Sequence, residues 1–187
     1  MKIRLITKCM NRVKRKKAEV HWSFAISQHS SDTYTQLNNY TTWVFRLANV
    51  VGPRLQKGAV IPDFIEKLKR DPELLHVLGN GHQEKSYIYI EDCIEAMCWV
   101  IEMTSDPTNV YNIGTKTTIS VREIAEIVAN QMDLSPKITY TSSDRGWVGD
   151  VPRMSLSVEK LISLGWGPEL ESEDAVRRTV RELVSSQ

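Results

Sequence analysis

Segments typical of β-strands and segments typical of α-helices alternate from residue 42 to the carboxyl terminus. Residues 42–50, TWVFRLANV, are rich in β-branched and aromatic residues, as are residues 109–113. Between such runs, apolar residues recur at helical spacing, for example over residues 60–70. Strands that alternate with helices are typical of an α/β fold with parallel pairing. We therefore predict an α/β fold for residues 41–187.

The pattern also predicts where each element lies. Strands are expected at 42–50, 74–78, 86–90, 109–113 and 137–141. Helices are expected at 60–70, 92–103, from Ser120 to about 132, after Ser157 and after Ser172. Ser120 and Glu123 form a capping box, and Ser157 and Ser172 are predicted N-caps.

The first forty residues differ from the rest in charge and in pattern. They carry eight Lys or Arg and two acidic residues, whereas the whole chain has a formal net charge of +1. They show no sustained period and end in a polar tract, so we predict that residues 1–40 form a separate, irregular or disordered segment. The run RVKRKK at 12–17 could bind nucleic acid, but no aromatic residues interleave with it, which favours a solvated charge run.

Composition narrows the class of protein. The chain is 41% hydrophobic and 25% charged, which is typical of a globular protein. It contains no run of eighteen apolar residues and no apolar stretch after its basic start, so we predict a cytoplasmic protein without a membrane span. The three cysteines are odd in number and form no Cys-x-x-Cys pair, which indicates neither a disulfide framework nor a zinc or other metal site.

Three motifs occur in a characteristic order. They are FRLANVVGPR at 45–54, LLHVLGNGHQEKSYIYIEDCIEAM at 74–97 and RGWVGDVPRMSLSVEKLISLGWGP at 145–168. Together they resemble the extended short-chain dehydrogenase/reductases that act on nucleotide sugars, the UDP-glucose 4-epimerase-like enzymes. Members of that family join a Rossmann domain that holds NAD to a smaller carboxyl-terminal domain that grips the sugar nucleotide. The resemblance implies that residues 41–187 are the substrate-binding part.

The family's catalytic and cofactor motifs are not found in the sequence. Catalysis in the family uses a Tyr-x-x-x-Lys pair with a Ser or Thr, and none of the six tyrosines here has a lysine four positions on. No Gly-x-x-Gly-x-x-Gly loop occurs either, so the glycine-rich part of a Rossmann domain is missing. NAD is the cofactor that the family implies, but we do not expect this chain alone to bind it, and we assign no catalytic residue.

At the first motif, the resemblance implies contacts from the end of a strand. Asn49 is expected to contact the substrate diphosphate, and Leu47 and Ala48 to border the nicotinamide. Val60, at the start of the following helix, is expected to touch the sugar nucleotide. The alternative for Asn49 is turn formation after a strand.

The second motif implies a nucleobase site and a diphosphate contact. His76 and Val77 are expected to hold the base through backbone groups, although His76 could instead face solvent. Lys85 lies where the family usually has an arginine that pairs with diphosphate, and a lysine lacks the bidentate fork. The alternative is a solvated lysine on a strand edge.

The third motif contributes Arg145 and Asp150. The resemblance implies that they reach the diphosphate and the ribose hydroxyls, because a guanidinium suits phosphate oxygens and a carboxylate accepts from a diol. The alternative is a surface ion pair between the two residues.

Three hypotheses for function follow. The chain is a truncated nucleotide-sugar epimerase or dehydratase that keeps the sugar-nucleotide-binding half and is inactive alone. Alternatively, it is a subunit of a split epimerase that needs a separate Rossmann-domain chain, or a non-catalytic binding module for sugar nucleotides with a basic tail. Its ligand is expected to be a UDP-sugar, and its exposed strand edges could support a homodimer or contact with a Rossmann partner.

Overall fold

The computed structural model describes residues 41–141, 143–146 and 149–185, so the predicted segment 1–40 lies outside the described residues. The strands are β1 Thr42–Leu47, β2 Asn49–Val51, β3 Leu74–Val77, β4 Glu84–Lys85, β5 Tyr87–Tyr89, β6 Thr108–Ile113, β7 Ile119–Ser120, β8 Lys137–Tyr140 and β9 Arg153–Met154. The helices are α1 Val60–Arg70, α2 Ile90–Met103, α3 Val121–Gln131, α4 Glu159–Ser163 and α5 Ser172–Ser185. None of these helices is long and apolar enough to cross a bilayer.

Parallel pairing dominates the sheets, and the predicted α/β fold is confirmed. Strand β1 pairs with β6, β2 with β5 and β3 with β8, each in parallel. The fourth sheet has the order β7-β4-β9, in which β4 is antiparallel to β7 and parallel to β9. This last sheet sets β4 beside the segment that contains Asp150.

The strand predicted at 42–50 is divided in two at Ala48. The Ala48 N–H donates to the Ile113 carbonyl at 2.8 Å, whereas the Asn49 N–H donates to the Ser86 carbonyl at 3.2 Å. The chain therefore changes its partner from β6 to β5 within one residue. This change brings Asn49 next to the residue that follows Lys85.

The helices show how well local periodicity predicts packing. Helix α1 has the predicted bounds, and its four fully buried residues follow the i, i+3, i+4, i+7 pattern: Ile61, Phe64, Ile65 and Leu68. Helix α3 begins with the predicted capping box. The Ser120 hydroxyl accepts from the Glu123 N–H at 3.2 Å, and the Glu123 carboxylate accepts from the Ser120 N–H at 2.8 Å.

Removing this cap tests how α3 is held. We expect Ser120→Ala to lower the free energy of unfolding by about 1 kcal/mol, measured by chemical denaturation near pH 7.

Hydrogen bonds from Ser120 lower the pKa of Glu123. The stabilisation from Glu123 is therefore present above its unfolded pKa of about 4.3 and is lost as the pH falls through the lower folded value. Ser163→Ala is the control, because that exposed hydroxyl bonds within its own helix to Lys160 O, and equal losses in both variants would contradict the capping role.

The other two predicted caps, at Ser157 and Ser172, are wrong. Helix α4 begins after Val158 without a side-chain cap, and the Ser157 carbonyl accepts from Asn112 Nδ2 at 2.8 Å. Ser172 is the first residue of α5, and its buried hydroxyl accepts from the Tyr87 N–H at 3.0 Å. Ser172 thus ties α5 to β5 rather than capping it.

Two main apolar clusters form the core. One joins α1, α3 and α5 to the strands beside them, and the other lies around α2, α4 and β6. Two cysteines of α2, Cys93 and Cys98, are buried. Cys93 is a free thiol.

Candidate functional site

A cavity of about 370 Å³ lies between the start of α1, strands β2 and β4, and the segment before β9. Four of the residues predicted to bind substrate line it: Asn49, Val60, Lys85 and Asp150. These residues come from separate segments of the chain, and the fold brings them to one place. The further lining residues that matter below are Leu78, Gln83, Tyr87 and Gly146.

Lys85 and Asp150 form an ion pair inside this cavity. The β4 backbone runs beside residues 152–154, since the Glu84 N–H donates to Pro152 O at 2.8 Å and the Ser86 N–H to Met154 O at 2.9 Å. Lys85 Nζ is consequently 2.6 Å from Asp150 Oδ1. The Asp150 side chain is 6% exposed and that of Lys85 is 24% exposed. The buried carboxylate of Asp150 is therefore paired with the ammonium group of Lys85, which a ligand can reach.

Hydrogen bonds keep Asp150 ionised despite its burial. Burial acts to raise the pKa of Asp150, but the bonds from Lys85 and from the Gly146 N–H outweigh it and lower the pKa below its ordinary value. The Gly146 N–H lies 3.1 Å from Asp150 Oδ2. Burial, and then the charge of Asp150, raise the pKa of Tyr87 to about 12, so this phenol is neutral at pH 7.

The lowered pKa of Asp150 predicts how stability depends on pH. Its contribution to folding is present above its unfolded pKa of about 3.9 and is lost as the pH falls through the lower folded value. We expect the difference in unfolding free energy between wild type and Asp150→Asn to stay constant between about pH 6 and 8 and to shrink toward about pH 3. Asp106→Asn, on an exposed turn, is the control. A difference that grows on acidification would contradict the ion pair.

Arg145 does not pair with Asp150, so the predicted alternative of an ion pair between them is wrong. Asp150 pairs with Lys85 instead. Arg145 is exposed, and it makes no ion pair with any residue that the structure describes. Its neighbour Gly146 lines the cavity, so Arg145 lies at the edge of the site. A diphosphate contact from Arg145 stays a prediction.

His76 and Val77 lie on β3 and do not line the cavity. The His76 carbonyl accepts from Lys67 Nζ at 3.1 Å, and the Val77 carbonyl accepts from the Thr141 N–H at 3.3 Å. His76 is exposed and its ring Nδ1 is 3.0 Å from Thr139 Oγ1, whereas Val77 is fully buried. Both carbonyls are thus engaged within the protein, and it is the next residue, Leu78, that reaches the cavity.

Asn49 and Val60 also line the cavity. Asn49 Nδ2 donates to the Ser86 carbonyl at 3.2 Å, a bond that uses one of its two hydrogens. Val60 is the first residue of α1. A helix N-terminus carries partial positive charge, which favours an anionic ligand beside it.

Leu47 and Ala48, predicted to border a nicotinamide, lie outside the cavity lining. The Leu47 side chain is 44% exposed, whereas Ala48 is buried. An exposed leucine can border a cofactor ring but cannot bind its pyrophosphate. Because the sequence also has no glycine-rich loop, these residues do not by themselves fit NAD, and no chemical step is assigned to it in this chain.

Sequence reasoning did not identify two of the lining residues. Tyr87 is buried and also lines the cavity. Gln83 is 2% exposed and lines the cavity. The Gly-Asn-Gly turn that precedes Gln83 was visible in the sequence, but nothing local showed that the turn folds over this side chain. Among the described residues, no group of three or more His, Cys, Asp or Glu side chains could hold a metal ion.

Comparison with known proteins identifies the family. The family model described as the NAD dependent epimerase/dehydratase family matches residues 16–114, which is more than half of the chain. The chain belongs to the NAD-dependent epimerase/dehydratase family. The matched range begins inside the basic amino-terminal segment, so the family's pattern extends further toward the amino terminus than the three motifs do.

Relatives of this epimerase/dehydratase chain support the assignment in sequence and in structure. The mouse protein dTDP-D-glucose 4,6-dehydratase is 30% identical over 152 residues, covering 79% of this chain and 42% of its own length. A crystal structure of UDP-galactose 4-epimerase is 37% identical with a TM-score of 0.74, covering 85% of this chain and 50% of that one. The UDP-glucose 4-epimerase of Thermotoga maritima, solved with UDP-glucose, is 25% identical with a TM-score of 0.71, covering 84% and 50%. The chain therefore spans about half the length of the relatives it matches.

Proposed function

We propose that this chain binds a nucleotide sugar, in particular a UDP-sugar, in the cavity that contains Lys85 and Asp150. The observation that carries the proposal is the ion pair itself. A carboxylate that is 6% exposed and a partly exposed lysine meet at 2.6 Å inside a cavity of about 370 Å³. Clefts of this kind, with a few convergent polar groups, are typical small-ligand sites.

Each charged group has a matching part of the ligand. The Lys85 side chain faces the diphosphate, to which it offers charge without the fork of an arginine. Asp150, kept ionised by Lys85 and Gly146, accepts hydrogen bonds from the ribose diol. The Asn49 side chain and the start of α1, which also line the cavity, add N–H donors, and Arg145 approaches the diphosphate from the edge of the cavity. Similarity to an enzyme solved with UDP-glucose supports a UDP-sugar as the ligand.

Turnover requires groups that are not among these 187 residues. The family moves a proton with a Tyr-x-x-x-Lys pair, and no such pair occurs in this sequence. Lys85 and Asp150 neutralise each other, and Tyr87 has a raised pKa, so none of the three is suited to act as a general base at pH 7. We infer that the chain has the binding half of the reaction and that an NAD-binding half, joined to it or supplied as a separate chain, completes the enzyme.

Calorimetric titration tests this proposal. The purified chain is titrated with UDP-glucose, UDP-galactose and NAD, and is then assayed for NAD-dependent conversion of UDP-glucose. We expect binding of a UDP-sugar, no measurable binding of NAD and no turnover until an NAD-binding half is added. Turnover by the pure chain would contradict the dependence on an added half, and failure to bind any UDP-sugar would contradict the binding role.

A further inference from the structure

The side-chain amide of Gln83 is buried with its oxygen unpartnered. Gln83 is 2% exposed, and Gln83 Oε1 has no hydrogen-bond partner within the part of the chain that the structure describes. Its Nε2 contacts the Leu78 carbonyl at 3.5 Å, which is long for a hydrogen bond. Buried polar side-chain atoms are nearly always paired in folded proteins, so an unpaired one requires an explanation.

The turn after β3 leaves space for the Gln83 amide, although this amide lowers the stability of the free protein. Gly79 has φ +86°, and a Cβ built on it would lie 1.7 Å from Gln83 Nε2. Any other residue at position 79 would displace the amide or be displaced by it. The turn after β3 is thus shaped around a polar group that adds no well-formed hydrogen bond to the free protein. Such a group lowers stability in the absence of ligand, which is typical of a residue kept for binding.

Gln83 is next to the part of the cavity assigned to the nucleoside. A Cβ built on Gly146 would lie 3.3 Å from Asp150 Oδ2 and 3.9 Å from Gln83 Nε2, so the amide and the carboxylate are neighbours. On its other side, Gln83 contacts the carbonyl of Leu78, a cavity-lining residue that is 50% exposed. The backbone carbonyls expected to hold the base, those of His76 and Val77, already accept bonds from Lys67 and Thr141.

We propose that Gln83 recognises the nucleobase, with Oε1 accepting a hydrogen bond from the ring N3–H of a uracil or thymine. This inference rests on the proposed function, because it places the ribose at Asp150 and the base one step further toward Leu78. Oε1 has almost no contact with solvent in the free protein, so the amide must rotate as the base enters. The 3.5 Å contact with Leu78 restrains that rotation only weakly. An acceptor that faces the imide edge selects bases with a ring N–H in that position.

The test compares ligands that differ in one hydrogen-bond donor. Wild type and Gln83→Met, which keeps side-chain length but removes the acceptor, are titrated with UDP, N3-methyl-UDP, 2′-deoxy-UDP and pyrophosphate. We expect wild type to bind UDP about tenfold more tightly than N3-methyl-UDP, and Gln83→Met to bind the two within about twofold of each other. Pyrophosphate affinity should be the same in both proteins. Gln83→Ala repeats the comparison with a smaller side chain.

A thermal melt of each free protein separates recognition from folding. We expect Gln83→Met to melt at the same temperature as wild type or above it, because it removes an unpartnered buried oxygen. A lower melting temperature together with weaker binding of every ligand, pyrophosphate included, would show a structural role and overturn the inference. If the difference between the proteins appears with 2′-deoxy-UDP instead of N3-methyl-UDP, the assignment to the base is wrong.

The outcome also separates this inference from the proposed function. Equal preference for UDP over N3-methyl-UDP in wild type and both variants would overturn the role of Gln83 and leave nucleotide-sugar binding intact. Absence of UDP binding by wild type would overturn both.

Discussion

Gly79→Ala is expected to lower the free energy of unfolding by about 2–5 kcal/mol, because backbone strain and a steric collision add. The residue has φ +86°, a backbone conformation that costs a side chain roughly 1–2 kcal/mol. The new Cβ would also lie 1.7 Å from Gln83 Nε2 and 2.8 Å from its Cδ, and overpacking of this kind costs typically about 1–3 kcal/mol. Gln83 is the end of a flexible side chain, but it is 2% exposed, so it can make way only toward the cavity that it lines.

Gly58→Ala is the matched control for backbone strain. Its φ is +90°, and a Cβ there would meet nothing within 4 Å. It should therefore lose only the conformational part, roughly 1–2 kcal/mol. Urea denaturation of both variants, and of Gly79→Ala combined with Gln83→Ala, completes the comparison. Equal losses at Gly58 and Gly79, or no relief of the Gly79→Ala loss when Gln83 is shortened, would contradict a collision with the amide.

Lys85→Ala is expected to weaken UDP-glucose binding by roughly 10- to 100-fold. A hydrogen bond to a charged group contributes about 1.5–3 kcal/mol, and each 1.4 kcal/mol is tenfold in affinity. The same change leaves the carboxyl group of Asp150, which is 6% exposed, without its counter-charge close to the diphosphate. In wild type the ligand must compete with Asp150 for Lys85, and this competition reduces the net contribution of Lys85 to the binding free energy. Calorimetry with UDP-glucose measures the difference.

Two further variants show whether weaker binding comes from loss of the positive charge at position 85 or from loss of any lysine. Lys85→Arg restores the guanidinium that the family usually has, and it should bind at least as tightly as wild type because its fork matches phosphate. Lys160→Ala removes a lysine that bonds to Val110 O at 2.9 Å and lies over the Tyr111 ring, away from the cavity, so its binding should equal that of wild type. A similar loss in Lys85→Ala and Lys160→Ala would contradict the assignment, as would a Lys85→Arg protein that binds no ligand. Thermal melts confirm that each variant is folded.

Local sequence patterns predicted those elements whose bounds depend on neighbouring residues. Helix α1 follows from an apolar stripe and a proline in its first turn, and α3 follows from a capping box whose two partners are three residues apart. The five predicted strands were placed to within a few residues, whereas the short strands β4, β7 and β9 were not predicted. The division of the first strand at Ala48 was not, because it depends on which of two distant strands each N–H meets.

The candidate site shows even more clearly that local patterns do not predict contacts between residues distant in sequence. Resemblance to the family led to four residues that line the cavity, but not to the pairing of Lys85 with Asp150 across 65 positions of sequence. A predicted cap at Ser172 was wrong because Tyr87, 85 positions away, is the partner of its hydroxyl. Gln83 was missed since burial of a polar side chain depends on the loops that fold over it. Periodicity describes which face of an element is apolar, and it does not say which polar groups meet.

The position of bound ligand tests the central claim most directly. Amide chemical shifts of ¹⁵N-labelled chain are recorded as UDP-glucose is added, with NAD as a separate titrant. We predict that UDP-glucose shifts the amides of cavity residues such as Gly58, Lys85 and Gly146, and that NAD shifts none of them. Shifts confined to β1 and β6, or an unchanged spectrum with UDP-glucose at millimolar concentration, would contradict a nucleotide-sugar site in this cavity.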